Sequence, residues 1–247
     1  MTTTATTTPA DIDHQKVGGI AALYLTLALL GAIPYFLVVV DYPRATTAAD
    51  RVDLIVNHYS SMYAVYLLTY VAFGLAVGVL ALTLWERLRP DAPAIVRIAT
   101  AVGLLWAVVL VASGMVFTYG MTTVHDLAST EQANAVTTWR AVESVAMALG
   151  GAGGELLGGL WVLLVSAVVV RGDRLPRNLG WLGLVIGVIG IASVLPPLND
   201  ATVAFGLLQI VWFGWLGGVL LTTKATVPTA HSSTVDDRDT HLKETAR

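Results

Sequence analysis

The chain has 247 residues, of which 55% are hydrophobic and only 13% charged, with a formal net charge of −3. A soluble domain carries about a quarter of charged residues, so a mean hydropathy of +0.71 points to a bilayer as solvent, and the absence of any basic cluster argues against a nucleic-acid binder. With no cysteine, disulfides, thiolate catalysis, cysteine-attached haem and iron–sulfur clusters are excluded.

Taken from the N-terminus, residues 1–16 are threonine-rich and acidic and lack the basic region and cleavage site of a signal peptide. They read as a disordered tail. Residues 17–222 then hold six apolar blocks near spanning length: Val17 to Val40, Ser61 to Trp85, Ile95 to Tyr119, Val145 to Val170, Leu179 to Leu195 and Ala201 to Leu221. The predicted fold is all-α, a polytopic six-span transmembrane bundle. Pro196-Pro197 cannot continue a helix and closes the fifth block. Residues 223–247 are polar, lack aromatics and read as a second disordered tail.

Between the first two blocks, residues 46–57 set Val52, Leu54 and Ile55 against Asp50, Arg51 and Asp53, a pattern for a short interfacial helix. Before the fourth, Ser129 with Gln132 fits a capping box, and Arg140 with Glu143 fits an i, i+3 pair whose charges are expected to face water. Tyr59, Trp85, Tyr119, Trp139 and Trp181 suit a headgroup-level belt. Sorting the basic residues by alternate loops places eleven on one side and three (Arg44, Arg51, Arg140) on the other. By the positive-inside rule both termini are cytoplasmic.

Glu155 is the residue most suggestive of chemistry. It lies within the fourth block, where a carboxylate is costly and commonly marks a ligand or proton path. The bland alternative is interhelical hydrogen-bonding glue. Gly150, Gly154 and Gly158 form GxxxGxxxG around it, and Gly183 with Gly187 repeats the spacing, which favours close helix packing within or between chains. Tyr66 and Tyr70 share a face of the second block, and Gln209 lies in the sixth. Helical rise gives Tyr70, Glu155 and Gln209 a common depth. Together with Tyr66 and Ser113 they form a candidate ligand or proton site, against a reading of the tyrosines as belt and packing. No catalytic residue, metal site or cofactor is assigned: His58 and His125 lack a ligand spacing, no block contains a histidine for haem, and nucleotide and hydrolase motifs are absent.

The stretches Gly-Gly-Glu155-Leu-Leu-Gly-Gly-Leu-Trp161, Arg174-Leu-Pro176-Arg-Asn-Leu-Gly-Trp and Gln209-Ile-Val-Trp212-Phe-Gly-Trp215 resemble an uncharacterised bacterial family of six-span integral membrane proteins, the domain of unknown function numbered 4386. The resemblance implies the bacterial inner membrane and supplies no activity or site. Two functions fit these observations: a non-enzymatic protein binding or translocating a small or lipidic ligand, and a structural or regulatory subunit docking on another membrane protein, or on its own copies, through glycine faces. An intramembrane enzyme lacks a nucleophile and base at matched depth.

Overall fold

The computed structural model describes residues 14–222. The tail expected over 1–16 is helical from His14 onward, and its remainder, like the tail expected at 223–247, lies outside the described residues. The described chain forms six helices: α1 His14–Val39, α2 Ala48–Leu88, α3 Pro93–Ala128, α4 Gln132–Arg171, α5 Arg177–Ala192 and α6 Ala201–Thr222. Short 3₁₀ turns at Tyr42–Arg44 and Pro196–Leu198 complete them, and no strand occurs among the described residues. Five helices are long and apolar enough to cross a membrane; α5, with 16 residues, is shorter. It stops at Ala192, ahead of the prolines expected to end it.

Each helix packs on its neighbours in sequence, and α6 closes back on α1, so the six make a ring. At the basic end, Arg174 pairs with Asp91 at 2.9 Å, and Arg87 donates to the Arg174 carbonyl, joining the α2–α3 and α4–α5 loops. The centre of the ring is filled by a closed circuit of aromatic contacts, Phe73–Trp106–Trp161–Trp212–Phe213, with centroids 5.4–6.3 Å apart. Three of these rings have a glycine on the facing helix. A Cβ built on Gly158 would lie 2.7 Å from Trp106 Cζ2, on Gly103 2.7 Å from Trp161 Cδ1, and on Gly183 2.7 Å from Trp212 Nε1. The glycines thus make room for indoles, which dominate buried area.

The outward surface of the ring is apolar too. Ile20, Leu27, Leu75, Val108, Val188 and Val211 are all more than half exposed. A helix apolar on every side has no aqueous face.

The helices α2, α3 and α4 are roughly twice as long as their partners α5 and α6, and extend past them at the end away from the arginines. There they bury a second core of Val52, Ile55, Met62, Tyr66, Phe117, Met121, Val124 and Trp139. Trp139, expected at the interface, is fully buried in it. The α2 extension is the amphipathic segment: Thr47 and Asp50 form a capping box, Val52 and Ile55 face the core, and the backbone breaks at His58 (φ −123°, ψ 21°). The expected Ser129–Gln132 box does not form. Ser129 terminates α3 instead, and Glu131 is the N-cap of α4.

Three of the helices contain a π turn, at Tyr35–Val39, Leu67–Ala72 and Met147–Ala152. Hydroxyls from neighbouring helices bond carbonyls at two of them. Tyr24 donates to Leu68 O (2.7 Å) and Ser113 to Ala146 O (2.8 Å), so the irregular ladder keeps its backbone acceptors satisfied.

Candidate functional site

A cavity of about 420 Å³ lies at the distal end, lined by Phe36, Tyr42, Arg51, Tyr66, Tyr70, Phe117, Glu143 and Met147. All three π turns contribute to it, through Phe36, Tyr70 and Met147. Such turns are rare, well under 1% of residues, and concentrate at functional sites.

The walls are aromatic. Phe36 meets Tyr66 edge-on at 5.5 Å and Tyr42 at 6.0 Å, while Tyr66 stacks on Tyr70 at 5.7 Å and both contact Phe117. Tyr66 is 5% exposed. Neither the Tyr66 nor the Tyr70 hydroxyl has a hydrogen-bond partner among the described residues. A phenol in an apolar interior normally finds one.

The remaining wall is ionic. Arg51 Nη1 donates to Glu143 Oε2 at 2.5 Å, Arg51 Nε donates to Ala45 O at 3.2 Å, and Tyr42 donates to Glu143 Oε1 at 2.8 Å. The guanidinium also lies 5.7 Å over the Tyr42 ring. Burial, reinforced by the bond to Glu143, pushes the Tyr42 phenol far up, so it remains a donor to the carboxylate at physiological pH. Side-chain exposures of 30% for Arg51 and 17% for Glu143 correct two expectations. These charges do not simply face water, and Glu143 pairs with Arg51, 92 residues away, instead of with Arg140. An i, i+3 rule sees only one helix, whereas the packing of α2, kinked at His58, brings Arg51 to Glu143 of α4.

Of the residues singled out from the sequence, Tyr66 and Tyr70 line this cavity. Ser113 is fully buried beside it, bonded to α4 and close to Gly150. Glu155 lies elsewhere: its Oε2 accepts from Ser193 Oγ and Thr202 Oγ1, both at 3.0 Å, where α5 ends and α6 begins. Gln209 is 4% exposed in the ring, and its Nε2 has no partner. Glu155 therefore clips three helices. Glu155→Ala is expected to cost about 1–2 kcal/mol, because the Thr202 hydroxyl loses its acceptor while Ser193 keeps the Gly190 carbonyl at 2.9 Å, whereas Glu155→Gln, which keeps one carbonyl oxygen, should cost less than about 1 kcal/mol. Thermal unfolding in detergent reads the difference; equal losses would mean that the charge, not the acceptor, matters.

The glycines pack inside the chain. Gly150, Gly154 and Gly158 face Ser113, Trp106 and Leu110 of α3, while Gly187 and Gly159 bring α5 against α4, each sited so that an added Cβ would lie 2.8–3.0 Å from the other's carbonyl oxygen. His125 stacks on Tyr59 at 4.4 Å, and no group of three or more histidine, aspartate or glutamate residues that could hold a metal occurs among the described residues.

Sequence reasoning missed Glu143, Arg51, Tyr42, Phe36, Phe117 and Met147. The one available signal was Arg51 and Glu143, two of the few charges near the distal ends of apolar blocks.

A family model described as Domain of unknown function (DUF4386) matches residues 20–218. No curated protein and no solved structure matches the chain.

Proposed function

The chain belongs to the DUF4386 family, and from that premise we propose that it is a six-span inner-membrane protein that binds a small or lipidic ligand in the distal cavity. Both termini are cytoplasmic in this reading, supported by the eleven-to-three division of basic residues. The cavity then lies on the outer side. The apolar exterior of the ring supports the membrane setting, and α5 spans as a short sixth helix where its neighbours α4 and α6 shield its ends. The charged groups that line the cavity, Arg51 and Glu143, are engaged with each other and with Tyr42, which favours binding over catalysis.

The observation that carries the reading is the convergence of three π turns and an ion pair on one aromatic cavity. Its volume falls in the range of small-molecule sites. The docking reading rested on glycine faces, and those are occupied within the chain.

Native mass spectrometry of the gently purified full chain, beside the cavity-filling variant Met147→Trp, tests it. A bound mass on the parent that is lost from the folded variant is the expected result. A bare parent chain, or a mass indifferent to the variant, overturns the proposal.

A further inference from the structure

If the distal cavity binds a ligand, the class of that ligand is set by the cavity's depth, its opening and its charges. Depth comes first. From Arg171 back along α4 to Glu143, from Arg87 back along α2 to Tyr59, and from Arg97 along α3 to His125, the helical rise is in each case about 42 Å at 1.5 Å per residue. That matches the thickness of a bilayer with both headgroup regions included, about 40–45 Å. Tyr59 and His125 do stack on each other, and α2 breaks at the adjacent His58, as a chain leaving the apolar layer would. With the arginines in one headgroup layer, the Arg51–Glu143 pair lies in the other, and Tyr66 and Tyr70 arise about 10 and 16 Å of helical rise below Tyr59, with side chains that lean back toward the N-terminus of α2 and so toward that layer.

The opening is a consequence of the lengths of the helices. The ring runs α1 to α6 and closes, but α5 and α6 stop at the level of Glu155, as their bonds from Ser193 and Thr202 show. Beyond that level nothing from α5 or α6 fills the arc between the end of α1 and α4. Phe36 and Met147, one on each side of the gap, both line the cavity. The residues that flank these two in sequence are apolar and exposed: Leu37, Val38 and Val39 after Phe36 on α1, and Val145 before Met147 on α4. A cavity walled at headgroup level and open sideways over an apolar sill admits a molecule whose chains remain in the bilayer.

Charge selects the headgroup. The ionic wall is net neutral, one guanidinium against one carboxylate. An anionic headgroup would satisfy Arg51 and be repelled by Glu143; a zwitterion satisfies both. Arg51 uses Nε and Nη1 inside the protein, which leaves Nη2 to donate to a phosphate oxygen. Glu143 and the faces of Tyr42, Tyr66 and Phe36 suit a cation, and the two unpartnered phenols supply donors for phosphodiester or ester oxygens.

We propose that the distal cavity is a lateral binding site for the zwitterionic headgroup of a membrane phospholipid, a phosphodiester bearing an ammonium group, with Arg51 on the phosphate, Glu143 on the ammonium, and Tyr66 and Tyr70 as hydroxyl donors. This assignment rests on the cavity being a ligand site at all.

The test is competition in nanodiscs containing equal parts of an ethanolamine phospholipid, a choline phospholipid and a glycerol (anionic) phospholipid of the same chains, with native mass spectrometry of the full chain and of Tyr66→Phe/Tyr70→Phe as the readout. That double variant removes donors without leaving a protein partner unpaired, so it keeps its fold. The proposal expects one zwitterionic lipid retained per chain, about tenfold over the anionic one, with the preference falling several-fold in the double variant. Whether the ethanolamine or the choline lipid leads reports whether hydrogen bonding to Glu143 or the aromatic faces dominate, and either supports it. Preference for the anionic lipid, or a preference that the double variant leaves unchanged, overturns it. So does competition by water-soluble glycerophosphoethanolamine as effective as that of the intact lipid, which would make the ligand a soluble one. In each of these cases a bound mass sensitive to Met147→Trp keeps the broader binding reading alive, so the two claims fail separately.

Discussion

Gly187→Val is expected to destabilise the folded chain by about 3 kcal/mol, near the upper end of overpacking costs. A Cβ at Gly187 would lie 2.7 Å from the Leu163 Cβ and 2.8 Å from the Gly159 carbonyl oxygen. The second neighbour is helix backbone and cannot rotate aside, so α5 must move off α4 as a body. That movement would also pull Ser193 from Glu155. Thermal unfolding in detergent measures the loss, and Gly206→Ala is the control, since nothing lies within 4 Å of a Cβ there. The control should change stability by less than about 1 kcal/mol, or raise it, as alanine is the better helix former. Similar losses at both positions would mean that glycine acts through flexibility, not close approach.

The second large effect concerns the ion pair. Arg51→Leu and Glu143→Leu should each cost about 2 kcal/mol, because each leaves its partner charged and poorly hydrated. Breaking a fully buried pair costs about 3–5 kcal/mol, and the residual exposure of 30% and 17% moderates that figure. The Glu143 change also strands the Tyr42 hydroxyl. In Arg51→Leu/Glu143→Leu no charge is left behind, so the double variant should lose much less than the two single losses together. A double-mutant cycle in detergent gives the coupling directly. Additive losses would place both groups in solvent and remove the ionic wall from any account of ligand recognition.

The two outcomes bear differently on function. The α4–α5 contact lies away from the cavity, so Gly187 variants probe the scaffold. The Arg51–Glu143 pair forms part of the cavity wall, and under the proposed binding function disturbing it changes what the cavity recognises. A stable Leu/Leu double variant that no longer retains a zwitterionic lipid would separate recognition from folding.

How much of the fold and site is legible in the sequence depends on the range of the interaction responsible. The apolar blocks gave the helices nearly one for one, because bilayer thickness and the 3.6-residue period leave few alternatives. The segment 46–57 is helical as its local pattern suggests, but it is the first part of α2, and its apolar face of Val52 and Ile55 buries against α3 and α4 instead of lying at a membrane interface. GxxxG spacing announced close packing around Gly150–Gly158 and Gly183–Gly187, but not the partners, which are indoles on α3 and α6 and the backbone of α4. Tyr66 and Tyr70 could be placed on one face by periodicity. That they line a cavity with Phe117 of α3 and Glu143 of α4 could not.

The sequence by itself determined the helical class, the apolar exterior, the division of basic residues between the two ends and the individual side chains capable of chemistry. These arise from solvent, period and composition, which act residue by residue. Only the tertiary structure decided that Glu143 meets Arg51 across 92 residues, that Glu155 fastens the ends of α5 and α6, and that three π turns converge on one space. Each depends on which helices become neighbours and how far each extends past the next. Those relations are set by packing among all six helices together, and no local pattern encodes them.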